Sequence, residues 1–336
     1  IGGLLGYAEY EALRRGTGEQ MMASLRSWSN ISNVPHLLLF IFLPALIYEA
    51  SMTTDYFVFS NHLWSALLLA GPGMAVQVVL IAVTAMYMLP YDWEWTECFL
   101  FGGILSATDP VAVIGLLKEL GVLPDLRVLI EGESVLNDGT AIVVYELCMA
   151  VLVEPNATVA QHTASGFRLV LGGPALGAAA FLISYVWLSN ITDPHEETIV
   201  TVAGAYLTYF IAEGTEVGVS AVLSIVTLGV LMAGYGRTSI SEEAEHTVHA
   251  FWGVLVFCSD TIIFVLAGAI IVDQAFLGET AIFSATDWGY LFALYVVLNC
   301  IRGFMVLICS VYLRPYGYGL DPKVCSWGDF IKSMFV

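Results

Sequence analysis

The sequence predicts an all-α polytopic membrane protein. Of its 336 residues, 58% are hydrophobic and only 12% are charged, which is about half the charged fraction of a typical soluble domain. The charges cluster in short polar stretches between long apolar runs, as expected for a chain that crosses a bilayer several times. A large soluble protein with several buried helices is the alternative, and the low charged fraction disfavours it.

Nine apolar runs are long enough, or nearly long enough, to cross a bilayer as helices. They cover residues 28–50, 57–89, 97–117, 129–153, 166–189, 197–213, 217–235, 250–272 and 287–313. The first seven residues resemble the end of a further span, so we expect about 9–11 membrane segments in a single domain over residues 1–336. The chain starts at Ile1 and ends at Val336 where a new apolar run begins, so we expect it to be truncated at both ends.

Several spans contain residues that disfavour a regular helix. Pro44, Pro110 and the glycine-rich stretch 172–177 are expected to interrupt their spans, and Gly71-Pro72-Gly73 is expected to tilt or break the second span. Irregular backbone at membrane depth is tolerated only where protein or a water-filled cavity covers it. In transporters such breaks often mark the ion site.

The distribution of basic residues predicts the orientation. Lys118 and Arg127 share one short loop, and by alternation Arg237 and Arg314 fall on the same side. Because an excess of Lys and Arg marks the cytoplasmic side, we expect the 118–127 loop to face the cytoplasm.

The overall charge excludes one class of partner. The formal net charge of −19 leaves no basic patch that could neutralise phosphates, so nucleic acid is not an expected partner. The six cysteines include no CxxC pair and are expected to be small buried side chains rather than disulfides or zinc ligands.

Ionisable side chains inside the apolar runs are the candidate functional residues, because such groups are costly in lipid. They are Asp109, Glu131, Glu133, Asp138, Glu213, Asp260 and Arg302.

The first of two acidic segments is Ser106-Ala-Thr-Asp-Pro110. Pro110 removes a backbone donor and moves Asp109 out of helical geometry, which frees nearby carbonyl groups. A carboxylate, the Thr108 hydroxyl and free carbonyls are hard oxygen ligands suited to a small cation. The alternative, in which Asp109 only caps a helix that starts at Pro110, fits this segment equally well.

The second acidic segment, residues 129–140, continues into an apolar run without a strong break. On a helix, Ser134 and Asp138 share one face, and Glu133 and Asn137 share the neighbouring face. One face therefore offers a hydroxyl beside a carboxylate, and the other a carboxylate beside an amide. A purely structural polar network is the alternative, and the acidic segment on the preceding span disfavours it.

Arg302 stands alone in the apolar run 291–313. Because an unpaired guanidinium at that depth is very costly, we expect it to have an acidic partner. Glu133 is the first candidate and Glu131 the second. The alternative is that Arg302 reaches the membrane surface, which its position near the middle of the span disfavours.

The segments that carry these residues resemble the signature motifs of the sodium/proton exchanger family, within the monovalent cation/proton antiporter superfamily. They are Ser106-Ala-Thr-Asp-Pro-Val-Ala-Val113, Glu131-Gly-Glu-Ser-Val-Leu-Asn-Asp-Gly-Thr140 and the proline-containing segment Leu43-Pro-Ala-Leu-Ile-Tyr-Glu-Ala50. The resemblance covers essentially the whole chain. It is strongest to the plant salt-tolerance exchangers, the sperm-type exchangers and their prokaryotic relatives.

The resemblance implies a fold and an activity. The fold is an inverted-repeat antiporter fold, with a core domain of crossing, partly unwound helices and a dimerisation domain; residues 97–153 and 250–313 are the implied ion-binding core segments. The activity is exchange of Na⁺, or else K⁺ or Li⁺, for H⁺ by a plasma-membrane homodimer without a cofactor, and not an enzymatic reaction. Asn137 resembles the residue found in electroneutral members, which implies one cation exchanged for one proton.

The resemblance also implies roles for single residues. Asp138 matches the aspartate that binds the cation and the proton, and Asp109 and Thr108 match the unwound helix that completes the site. Glu133 and Arg302 match a buried ion pair that holds the core together.

Three further residues are secondary candidates for the site: Glu131, Glu213 and Asp260.

The chain departs from the family at two points. Asp260 stands where many relatives have Glu. The final core helix of the family would follow Val336, so we do not expect the chain as given to be sufficient for transport.

Three other functions fit parts of the sequence. A passive cation channel would conduct the same ions without coupling to protons. A regulatory relative that has lost transport is disfavoured because Asp109, Asp138 and Arg302 are all present. An intramembrane aspartyl protease could use Asp109 and Asp138 as a dyad, but it would need a Gly-x-Gly-Asp segment within a span, and the sequence has none.

Overall fold

A computed structural model describes residues 38–107, 124–154, 157–215, 217–272 and 285–313. All regular elements in these ranges are helices, which agrees with the all-α prediction. The α-helices are α1 (Leu43–Thr53), α2 (Tyr56–Leu68), α3 (Met74–Met88), α4 (Trp95–Ser106), α5 (Pro124–Val153), α6 (Val159–Leu188), α7 (Pro194–Gly214), α8 (Ala221–Gly234), α9 (Glu242–Val272) and α10 (Ala285–Leu313).

Five helical segments of the described chain are long and apolar enough to cross a membrane. They are Tyr56–Met88, Ile130–Val153, Val159–Leu188, Glu242–Gly268 and Thr286–Met305. The apolar helices Leu38–Thr53 and Ala221–Gly234 are shorter. Each apolar run that predicted a span overlaps a helix, so the chain is an integral membrane protein built from helices.

The polar residues between the spans start the helices. The Asp55 carboxylate accepts hydrogen bonds from the backbone N–H groups of Phe57 and Val58 at the first turn of α2. Asp193 caps α7 in the same way, with Pro194 in the first turn. Such caps satisfy N–H groups that have no partner within the helix, so short polar sequences end one span and begin the next.

Gly71-Pro72-Gly73 lies in a π-helical turn rather than in a complete break. The turn covers Leu69–Gly73 and joins α2 to α3. Pro72 has no N–H to donate, and the wider turn accommodates its ring within one continuous span. A second π-helical turn, Leu38–Phe42, precedes α1, so Pro44 lies in the first turn of that helix and does not interrupt it.

The glycine-rich stretch 172–177 does not interrupt its span, and the expectation of a break there is wrong. Helix α6 is continuous from Val159 to Leu188 with Pro174 inside it. The glycines instead allow close helix packing: a Cβ at Gly177 would collide with the carbonyl oxygen of Ser224 on α8. Small residues at such crossings let two membrane helices approach backbone to backbone.

Replacing Gly177 with valine is therefore expected to destabilise the protein by about 1–3 kcal/mol, the usual cost of overpacking a filled interior. The measurement is the thermal unfolding midpoint of purified protein in detergent. Gly253→Val is the matched control, because a Cβ at Gly253 would have no heavy atom of the described residues within 4 Å apart from the backbone of its own helix. Equal midpoints for the two variants would show that α6 and α8 do not pack as described.

The helices form two units. The site unit contains α2, α3, α4, α5 and α10: α4 packs between α3 and α5, α2 packs against α5, and α10 packs against α3. The support unit contains α1, α6, α7, α8 and α9: α8 contacts α1, α6 and α7, and α9 packs against α1 and α7. A continuous apolar core, which includes Tyr48, Ile225 and Trp252, fills the support unit.

The two units meet mainly along α5 and α8. Val135, Leu136 and Ile142 of α5 pack against the apolar core of the support unit. Gly139 faces Leu223 of α8, and a Cβ at Gly139 would lie 2.6 Å from Leu223 Cδ2. This part of the contact is apolar and lacks directional bonds.

Candidate functional site

Polar side chains are concentrated on one stretch of α5. Glu133, Ser134 and Asn137 are 8%, 4% and 2% exposed, and Asp138 is half-buried. Because α5 is helical without a break from Pro124 to Val153, residues four apart share a face. Ser134 therefore lies one turn before Asp138, and Glu133 one turn before Asn137, as their spacing predicted.

Asn137 connects this stretch to the end of α4. Its side-chain nitrogen donates a hydrogen bond of 3.1 Å to the carbonyl oxygen of Ser106, the last residue of α4. The next residue, Ala107, is extended, with φ −65° and ψ 133°. Pro110, four residues after Ser106, has no N–H to donate to this carbonyl, and the Asn137 amide donates to it instead.

The segment after Ala107 was predicted to complete the site. Thr108, Asp109 and Pro110 lie outside the described residues. The described part of the predicted span 97–117 is the helix Trp95–Ser106. Its end at Ser106 is where the sequence predicted irregular backbone with free carbonyl groups.

The structure brings Arg302 of α10 next to Glu133 of α5. Nη2 of Arg302 lies 3.7 Å from Oε2 of Glu133, and the two side chains are only 19% and 10% exposed. The guanidinium is thus placed beside the acid that was its first candidate partner, between two helices of the site unit. Nη1 of Arg302 is buried and has no hydrogen-bond partner among the described residues.

The secondary candidates lie elsewhere. Glu131 is half-buried near the start of α5, Glu213 is exposed at the end of α7, and Asp260 is half-buried on α9. Glu213 and Asp260 therefore belong to the support unit. Glu131 is on α5, but Glu133 is the acid paired with Arg302.

Glu197 and Glu146 are two further acidic residues, not selected by the sequence analysis, that are buried or half-buried. Glu197 is fully buried, and its Oε2 accepts a 2.9 Å hydrogen bond from the backbone N–H of Ser241, just before α9. It shares one face of α7 with Thr201, whose hydroxyl oxygen accepts a hydrogen bond from Trp252 Nε1. In the sequence, the available signal was an acidic residue at the start of the apolar run 197–213, four residues before Thr201 and so on the same helix face. The second residue, Glu146, is half-buried on α5 about two turns beyond Asp138.

A resident metal site is not evident in the part of the chain that the structure describes. No group of three or more His, Cys, Asp or Glu side chains in these ranges could hold a metal ion. The carboxylate, hydroxyl and amide oxygens on this stretch of α5 are hard ligands of the kind that small cations take.

Comparison with known sequences identifies related proteins. The chain matches the family described as sodium/hydrogen exchanger, transmembrane, over residues 17–330. It is 36% identical over 324 residues to sodium/hydrogen exchanger 7 of Arabidopsis thaliana, which covers 96% of the chain and 28% of the relative. It is 33% identical to sodium/hydrogen exchanger 8 of the same plant, covering 97% of the chain and 43% of the relative. The chain thus spans less than half the length of these relatives.

A prokaryotic sequence and a solved structure are also similar. The Na(+)/H(+) antiporter ApNhaP of Aphanothece halophytica is 35% identical over 238 residues, which is 70% of the chain and 44% of the relative. The structure of the sodium proton antiporter MjNhaP1 from Methanocaldococcus jannaschii at pH 8 superposes with a TM-score of 0.69 at 16% identity, covering 98% of the chain and 79% of that protein. This likeness confirms the predicted all-α polytopic antiporter fold.

Proposed function

Because the chain belongs to the sodium/hydrogen exchanger family, we propose that the protein exchanges Na⁺ for H⁺ across a membrane and that Asp138 is the carboxylate shared by the two ions. The observation that carries the proposal is the position of Asp138. It lies on a membrane-spanning helix beside buried polar residues, at the junction of the two helix units. Ionisable groups at such positions are costly and mark ion or proton pathways.

The coupling follows from competition for one carboxylate. Withdrawal from water favours the neutral, protonated form of a carboxyl group, whereas a bound cation favours the charged form. A single aspartate therefore carries either a proton or a cation, but not both. Ser134 offers a hydroxyl oxygen on the same face as Asp138. The Thr108 hydroxyl and the Asp109 carboxylate, from the segment that follows α4, are the other proposed ligands.

Exchange also requires that the site face each side of the membrane in turn. We assign the movement to the site unit, which would shift relative to the support unit and carry Asp138 with it. The contact of Gly139 with Leu223 suits such a movement, because apolar surfaces can change partners without breaking directional bonds. If the loaded site permits the shift and the empty charged site does not, exchange is obligatory.

The neighbouring residues have supporting roles in this proposal. The buried pair of Glu133 and Arg302 would hold α5 against α10. Asn137 is a neutral amide next to Asp138, as in the electroneutral members that this segment resembles, and on that resemblance we propose the exchange of one cation for one proton. Transport of K⁺ or Li⁺, assembly as a homodimer and a plasma-membrane location are parts of the proposal that derive from the family alone.

The test is proton movement in vesicles that contain the purified full-length protein. A dye reports internal pH while Na⁺, K⁺ or Li⁺ is added outside, with and without a clamped membrane potential. Alkalinisation driven by a cation under the clamp supports electroneutral exchange and identifies the ion. A response that follows the imposed potential, or cation flux without a pH change, would favour an electrogenic antiporter or a passive channel.

Replacing Asn137 with alanine is expected to lower the exchange rate about five- to tenfold, because one hydrogen bond to a buried carbonyl contributes about 1–1.5 kcal/mol. The variant leaves the Ser106 carbonyl without its donor, and the end of α4 is then less firmly held beside Asp138. The measurement is the initial rate of cation-driven pH change at equal protein content. Asn299→Ala is the control, since Asn299 is exposed and its side chain bonds the carbonyl of Tyr295 on its own helix. An unchanged exchange rate in Asn137→Ala would show that Asn137 does not position the end of α4 beside Asp138.

A further inference from the structure

Two tyrosines join the two helix units at one end of the molecule. Tyr56 begins α2 of the site unit, and Tyr235 directly follows α8 of the support unit. Their hydroxyl oxygens lie 3.2 Å apart, and their rings meet edge to face with centroids 5.3 Å apart. The Tyr56 ring also lies directly on the backbone of α8, because a Cβ at Gly234 would be 2.6 Å from Tyr56 Cγ.

The end of the molecule that carries these tyrosines can be identified from α5. Phe59, one turn beyond Tyr56 on α2, packs against Gly132, where a Cβ would lie 2.5 Å from Phe59 Cε2. Gly132 precedes Asp138 on α5, so the tyrosines lie toward the end at which α5 begins. The distribution of basic residues predicts that this end faces the cytoplasm.

The tyrosine contact differs in kind from the apolar contacts deeper in the junction. There, Phe59 and Ala66 of α2 pack with Val230 of α8. Apolar side chains can exchange one neighbour for another at small cost. A hydrogen bond depends steeply on distance and angle, and an edge-to-face ring pair has a preferred geometry. The tyrosine contact is therefore specific for one position of α2 relative to α8.

We propose that Tyr56 and Tyr235 form a latch between the two units that stabilises the position of the site unit seen in this structure. This inference rests on the proposed exchange function. A contact that is made in one of two states shifts their equilibrium by the free energy of that contact. When the site unit moves, the latch opens and the other state of the exchange cycle becomes populated.

The first test removes the hydrogen bond and keeps the ring. In Tyr235→Phe the equilibrium is expected to shift about fivefold away from the latched state. The half-saturating cation concentrations at the two faces of the membrane should then change in opposite directions, each by up to about fivefold, because apparent affinity scales with the competent fraction. Tyr87→Phe is the control, as Tyr87 is 80% exposed near the other end of the same span. Unchanged values at both faces of Tyr235→Phe would overturn the latch.

The second test locks the contact. Tyr56→Cys and Tyr235→Cys are combined in a background whose native cysteines are replaced by serine. The pair is joined by a short bis-methanethiosulfonate crosslinker, which forms a reducible disulfide with each thiol. Exchange should be lost on crosslinking and return on reduction. The control pair, Tyr87→Cys with Trp95→Cys, lies within the site unit, where the two rings are 6.5 Å apart, and should keep its activity after crosslinking.

The outcomes separate the latch from the function on which it rests. Full exchange after complete crosslinking of the tyrosine positions, or failure of that pair to crosslink, would overturn the latch alone. Absence of cation-driven proton movement in the unmodified protein would overturn the proposed exchange function instead.

Discussion

Replacing Asp138 with asparagine is expected to reduce cation-driven proton movement to the level of protein-free vesicles. Asparagine has nearly the same shape as aspartate, so the packing of α5 should persist. It can neither gain a proton nor carry the negative charge that a cation would neutralise. Both halves of the exchange should therefore be lost together.

Asp193→Asn is the matched control for this variant. Asp193 caps α7, with its side chain accepting hydrogen bonds from the N–H groups of His195 and Glu196. Asparagine caps helices about as well as aspartate, so the control removes one negative charge without loss of structure. The initial rate of internal alkalinisation, at matched protein content and with a thermal unfolding curve for each variant, makes the comparison.

Full exchange in Asp138→Asn would mean that the shared carboxylate is elsewhere. Glu146 would be the next residue to neutralise, because it lies on the same helix and is half-buried. Loss of activity in both Asp138→Asn and Asp193→Asn would instead point to an effect of overall charge.

The helices could be predicted from the sequence because the bilayer imposes a simple rule. A membrane span must satisfy its own backbone hydrogen bonds over a fixed thickness, so length and hydrophobicity are sufficient to find it. The spacing of residues within α5 was equally predictable, because an unbroken helix fixes which side chains share a face. This is why Ser134 and Asp138, and Glu133 and Asn137, could be paired before the structure was known.

Contacts between helices were harder to predict, because hydrophobicity does not say which helices are neighbours. The sequence analysis gave residues 250–313 as one implied core segment, which stays a prediction. In the structure α9 packs against α1 and α7, and α10 packs against α3, and hydrophobicity alone indicates none of these neighbours. The glycines of α6 illustrate the same limit. Glycine weakens a helix in water, but in a membrane it also permits close packing, and only the presence of α8 beside Gly177 distinguishes the two effects.

The partner of Arg302 is an intermediate case. The cost of a buried charge predicts that an acidic partner exists, but it does not identify the acid. Glu131 and Glu133 are two residues apart on α5 and face different directions on a helix. The structure places Glu133 at 3.7 Å from the guanidinium, which makes the energetic role of this pair open to a direct test.

Replacing Arg302 with methionine is expected to destabilise the protein by about 3–5 kcal/mol, since it leaves a buried carboxylate without its counter-charge. Methionine keeps much of the length of the arginine side chain, so little packing is lost. Glu133→Gln introduced together with Arg302→Met should recover a large part of the loss, because removing both charges avoids the unpaired one. Thermal unfolding in detergent measures both variants.

Arg237 provides the matched control, because it forms an ion pair at the same distance on the surface. Its Nε lies 3.7 Å from Glu245 Oε1, but these side chains are 56% and 47% exposed. Exposed pairs contribute about 0–1 kcal/mol, so Arg237→Met should leave the unfolding midpoint nearly unchanged. If the Arg302 and Arg237 variants lost equal stability, burial would not be what makes the Glu133–Arg302 pair important, and its proposed role in holding α5 against α10 would be wrong.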